Sequence, residues 1–160
     1  MKIGIAVACA LASAALGANT AGGIKWTPPP SWKAEAQRPM RAATYTMPGD
    51  GECVVYYFGP GQGGSVEDNI KRWSSQFPDG KPQVEKKTIR GLQVTTIDVS
   101  GSYTGAGGPM GPRQTRAGYR LLGAIVEAPQ GPVFFKFTGP AKTVAARQKE
   151  FESLLQSVSR

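Results

Sequence analysis

The chain has 160 residues, no histidine, and 19 basic against 11 acidic side chains, for a net charge of +8. Without histidine, Ser-His-Asp and Cys-His nucleophile systems and the commonest zinc ligand are excluded. A basic excess of this size favours anionic partners and says nothing about fold.

The first residues read as a leader. Met1-Lys2 precedes the apolar run IGIAVACALASAALGA, which is too short to span a bilayer and ends in small residues. The pattern predicts a cleaved signal peptide over 1–21, with cuts possible after Gly17, Ala18 or Ala21, and an exported protein, periplasmic or secreted, with no transmembrane helix in its mature form. Only Ile3 to Ala8 precede Cys9, too short a stretch for a lipoprotein signal. Loss of Lys2 with the leader takes the net charge from +8 to +7 and leaves Cys53 as the lone cysteine, so no intramolecular disulfide can form. On an apolar strand that thiol is a small buried hydrophobe.

Residues 22–160 are read as one globular domain with a single core. Trp26-Thr-Pro-Pro-Pro-Ser-Trp32 must be extended, because proline fixes φ and pushes the preceding residue out of the helical region. Its two indoles anchor the chain start in the core or form an exposed platform for a ligand. Met40–Met47 is a β-prone run, and Pro48-Gly49-Asp50-Gly51 turns it into a hairpin. Cys53–Phe58 is apolar throughout, as befits a strand covered on both faces. After the glycine-rich turn Gly59–Gly64 the period changes. Val66, Ile70, Trp73 and Phe77 recur along one face of a helix capped by Ser65 and ended by Pro78-Asp79-Gly80.

Val84–Ile89 and the run from Leu92 form a hairpin around Arg90-Gly91. The segment 101–118 has six glycines and two prolines, and reads as a mobile loop joining two strands. Tyr119–Ala128 and Val133–Thr138 make a second hairpin. In the latter strand Val133, Phe135 and Phe137 share one face while Phe134, Lys136 and Thr138 share the other. Gly139-Pro140 opens a final helix whose stripe is Val144, Phe151, Leu154, Leu155 and Val158.

Gly59, Gly61 and Gly64 satisfy GxGxxG between a strand and a helix, with Asp79 about twenty residues on. The acid, however, lies in the turn directly after that helix rather than ending a second parallel strand, and the later strands come as hairpins. A phosphate loop would need lysine where glycine stands. What survives is a turn that needs glycine backbone angles, with a candidate anion contact at Gly63, Gly64 and Ser65. Neither Asp50 with Glu52 nor Glu67 with Asp68 is marked as an acid/base couple. No cofactor, metal or catalytic residue is expected, and the chain reads as non-enzymatic. The bases form no run longer than two, and an exported protein does not meet nucleic acid.

The element order carries a resemblance. A Trp-Pro-Trp opening, strand, strand, helix, a strand pair through Ile89-Arg-Gly-Leu, then YRLLGAIV, VFFKFTGP and a Phe-Leu-Leu helix resembles the PsbP-like fold family. RPMRAATY, FGPGQGGSVEDNIKRW and GPVFFKFTGP are similar to segments of uncharacterised bacterial exported proteins. The resemblance implies an α+β fold, an antiparallel sheet sandwiched between helices. It also implies an accessory or binding role, as in extrinsic photosystem II subunits, a Ran-binding import factor and bacterial envelope relatives. No site residue of those relatives maps onto this chain. The expectation is an accessory protein of the bacterial cell envelope, bound to an envelope protein or an anionic envelope component. Trp26, Trp32, Tyr103, Arg113 and Arg116 are the candidate partner or ligand contacts. The alternative is a small-ligand or glycan binder that uses the aromatic members of that set.

Overall fold

A computed structural model describes residues 19–106 and 114–160. Of the segment 1–21 read as a leader, residues 1–18, including Cys9, lie outside the described residues, as does Arg113; Thr20–Ala21 is paired strand, so a cut after Ala21 would remove part of the fold. Seven strands form one antiparallel sheet in the order β3-β4-β5-β9-β8-β7-β6. They are β3 (Lys33–Ala34), β4 (Arg41–Met47), β5 (Gly51–Tyr56), β6 (Gln83–Ile89), β7 (Leu92–Ala106), β8 (Gln114–Ala128) and β9 (Gly131–Pro140). A separate two-stranded ribbon, β1 (Thr20–Ala21) with β2 (Ile24–Lys25), precedes them. The helices are α1 (Val66–Ser75), α2 (Ala141–Ala146) and α3 (Gln148–Gln156).

Period-2 patterning gives the sheet two apolar faces. Phe135 and Phe137 of β9 join Tyr45, Trp26, Trp32 and Leu154 in the core beneath α2 and α3. Phe134, on the opposite side of the same strand, joins Trp73, Phe77, Ile97, Leu121 and Ile125 beneath α1. The helical cover is thinner than a sandwich of full layers. Strand dominates the chain, one ten-residue helix lies on one face, and the short α2 and α3 share the other with the extended arm of residues 26–32. The final helix is not continuous either. It breaks at Arg147, whose φ of −117° ends α2 before α3 begins.

The glycine-rich segment departs most from expectation. β7 continues to Ala106 and β8 resumes at Gln114, so 101–106 and 114–118 are paired strand rather than loop. Backbone pairing extends the ladder without apolar side chains, and Tyr103 pins the extension. Its ring stacks on Phe77 at 5.1 Å and on Tyr119 at 5.7 Å between centroids. The remainder of the segment lies outside the described residues.

The arm is an anchor. Trp26 lies edge-on to Phe135 at 5.3 Å and its Nε1 donates to Tyr45 Oη at 2.9 Å. Trp32 Nε1 donates to Glu150 Oε2 at 2.6 Å. Both indoles are buried, as a large ring with one polar atom requires a partner once it leaves water.

Candidate functional site

The helix α1 is set on the sheet by a short list of local devices. Ser65 Oγ accepts from the Asp68 amide at 3.0 Å, the expected N-cap. Asn69, which the apolar stripe gave no reason to single out, is buried. Its Nδ2 donates to the carbonyls of Gly63 and Ser65, both at 2.8 Å, and its Oδ1 accepts from Arg72 Nη2 at 2.8 Å. The glycine turn is thereby tied to the helix it precedes. The Asp68 amide is taken by Ser65, and Glu67 and Asp68 add negative charge beside the predicted anion contact at Gly63, Gly64 and Ser65. Further along, Trp73 packs against Gly123, where a Cβ would come within 2.5 Å of the indole.

Trp73 and Phe77 seat the far end of α1 on β7, β8 and β9, and the sheet beside Val66 and Ile70 is left open toward β6. There a groove of about 890 Å³ runs between the helix and the strands. Val66 and Ile70 form the helix wall, Val84 and Pro132 the sheet side, and Lys71 and Lys86 stand among the lining residues. Val84 is 46% exposed, one of two large apolar side chains so placed among the described residues. Val66 and Ile70, expected to be core, are only partly buried because the sheet beneath them is not filled. Gly64 and Ser65 also line this groove, so two of the three predicted anion contacts lie at the site as parts of its rim.

On the other side of α1 sits a polar cluster centred on β9. Lys136 Nζ donates to Gln76 Oε1 at 2.8 Å and to Tyr103 Oη at 3.2 Å, and lies 5.4 Å from the Tyr103 ring centroid. Among the described residues it forms no ion pair, since Glu52 lies against Arg41 at 3.9 Å. The residue as a whole is partly buried, but its ammonium is enclosed by protein. That burial, with the nearby Arg72 and Arg41 opposing Glu52, pushes Lys136 down to about 8. Burial also pushes Tyr103 up to about 12. The sequence signal was available, a lysine flanked by Phe134, Phe135 and Phe137, but it fixes only the face of the strand.

The predicted partner contacts separate. Trp26, Trp32 and Tyr103 are each less than 10% exposed, so none is an aromatic platform; they are packed by Phe135, Phe137 and Phe77 respectively. Arg116 is exposed on β8, where its Nη2 donates to Gln114 Oε1 at 3.2 Å. It does not line the groove.

Among solved structures the chain is similar to cyanobacterial PsbP from Synechocystis sp. PCC 6803, determined in solution, with a TM-score of 0.56 over 98% of each chain at 13% sequence identity. The fold is PsbP-like. No family model and no curated protein matches the sequence. At this identity the likeness is one of shape, so the chemistry of the PsbP-like sheet here must be read from its own residues. Among those described, no three His, Cys, Asp or Glu side chains gather in a metal-ligating group, and no helix is long and apolar enough to cross a membrane.

Proposed function

We propose that this protein is a non-enzymatic accessory protein of the bacterial envelope that binds a partner in the groove between α1 and β6–β8. The observation that carries this reading is the groove itself, a cleft of about 890 Å³ with Val66, Ile70, Val84 and Pro132 on its walls. Contiguous apolar surface left open beside polar residues is the usual mark of a binding site. The PsbP-like shape supports an accessory or binding role. A histidine-free sequence without a marked acid/base couple supports the absence of catalysis. The leader-like start and the basic balance support export and an anionic or acidic envelope partner.

The groove's volume also suits a drug-sized apolar ligand, which favours a second reading as a small-molecule carrier at the same place. The glycan variant loses its support, because Trp26 and Trp32 are buried. Val66→Arg tests the proposal, since it places a long cation in the groove mouth at a half-buried helix-start position. Envelope components retained by immobilised wild-type protein should be lost with Val66→Arg, while thermal melting stays within a few degrees. Equal retention by both proteins would refute the groove reading. Retention of an extractable small molecule rather than a protein would select the carrier.

A further inference from the structure

The outer wall of the groove is β6, an edge strand, and its register decides which of its backbone groups are spent. Ile89 pairs with Leu92 across Arg90-Gly91, both of which have positive φ (47° and 79°). A two-residue turn of this kind makes its flanking pair a hydrogen-bonded one, and such pairs then alternate along an antiparallel ladder. Ile89, Lys87, Glu85 and Gln83 therefore direct their amides and carbonyls at β7. Val84, Lys86 and Thr88 direct theirs away from the sheet. Among the described residues no backbone hydrogen bond from outside the β6–β7 ladder reaches them. The side chains of Val84 and Lys86 lie on the groove side, and Thr88 pairs with Gln93, another groove residue.

Charge narrows the occupant. Residues 81–90 carry Lys81, Lys86, Lys87 and Arg90 against Glu85 alone, and none of these forms an ion pair among the described residues. A second copy of β6 is a poor fit. Lys81, Lys86, Lys87 and Arg90 against Glu85 bring two copies together at +3 on +3, and even the register that sets Glu85 opposite Lys87 puts Lys86 on Lys86 on the groove face, whereas an acidic segment meets every one of these basic charges with its opposite. We propose that β6 takes an extended protein segment as an added strand, with an acidic side chain beside Lys86 and an apolar one, two residues away, beside Val84. The added strand closes the open side of the groove and uses the free amides and carbonyls of Val84, Lys86 and Thr88. This inference rests on the groove being the binding site and adds the partner's chemistry.

The test uses the full chain and two capped nonapeptides of alternating pattern, one with aspartate and valine on its groove face and one with lysine replacing the aspartate. The aspartate peptide should slow amide exchange at Val84, Lys86 and Thr88 by about tenfold or more, and leave the already bonded Glu85 and Lys87 unchanged. Lys86→Glu should weaken that peptide about fivefold and bring in the lysine peptide. Lys86→Pro should abolish binding of both with the fold intact, because the amide it removes points away from β7. Equal binding of the two peptides, or none at millimolar concentration, overturns the proposal and leaves the groove to its Val66→Arg test. Peptide-induced shifts confined to Val66 and Ile70 would do the same. A concentration-dependent dimer that Lys86→Pro dissolves would assign the edge to a second copy and overturn it as well.

Discussion

Replacing Lys136 with methionine isolates the energetic consequence of holding an ammonium in the middle of the sheet. The folded-state value of about 8 lies below the ordinary lysine value of 10.5. Between those values the unfolded chain binds the proton more tightly than the folded one, so stability rises with pH through this window and the penalty is fully present below pH 8. At 1.36 kcal/mol per unit of pKa the penalty is about 3 kcal/mol. Methionine removes it, keeps most of the stem volume, and strands Gln76 Oε1 and the Tyr103 hydroxyl, a loss of about 1–2 kcal/mol. Lys136→Met should therefore be more stable than wild type by about 1–2 kcal/mol at pH 7. That advantage should shrink steadily toward pH 9.5. Urea unfolding of both proteins across pH 6 to 9.5 measures it, since taking their difference cancels the other titrating groups. A variant less stable than wild type at pH 7, with a difference that does not change with pH, would refute the account.

Three further outcomes follow from the core and the arm. Trp73→Ala should cost about 3–5 kcal/mol, and Gly123→Ala about 1–3 kcal/mol because its Cβ would meet the same indole; denaturant midpoints decide, and a neutral Gly123→Ala would mean the helix stands off the strand. Cys53 is fully buried and burial pushes its thiol well up, so Ellman's reagent should leave it unmodified in the native protein and label it on unfolding; fast native labelling would contradict the packing. Although burial pushes the Glu150 carboxyl up, donors from Trp32, Arg147 and Ser31 hold it below 4.5. Its contribution is present above the unfolded value and lost as pH falls through the lower folded one. Glu150→Gln should flatten the stability profile below pH 4.5, and an unchanged acid limb would show that the carboxylate is not coupled to folding.

The parts legible in the sequence are those with a local cause. Ser65 and the spacing of Val66, Ile70, Trp73 and Phe77 specify α1, and Arg90-Gly91 specifies its hairpin, because cap, stripe and turn each sit within a few residues of one another. The alternation in β9 correctly divides Phe134 and Lys136 from Phe135 and Phe137. What was not legible depends on distant partners. The groove exists because α1 seats on β7, β8 and β9 through Trp73 and Phe77 and not through Val66 and Ile70, and no local pattern encodes that placement. Asn69 is a polar residue beside the stripe with no local signal of its own, yet it ties the turn to the helix. In the glycine-rich segment, weak apolar content suggested a loop. The ladder persists because backbone pairing needs no side chains and because Tyr103 finds Phe77 and Tyr119.

The arm that carries the two indoles is tied to the far end of the chain as well as to Tyr45 and the phenylalanines of β9. The Lys25 amide donates to the Ser159 carbonyl at 2.8 Å, the Ser159 amide returns to Lys25 at 3.0 Å, and Thr27 and Trp32 reach Ser157 and Glu150. Apart from residues 19–21 and Tyr45, the partners named for residues 24–32 lie at Phe135 and beyond, so the arm docks fully only once the C-terminal segment has emerged. The last helical turns act as a latch on assembly. A chain growing from its amino end therefore keeps its first segment loose and completes the main core last.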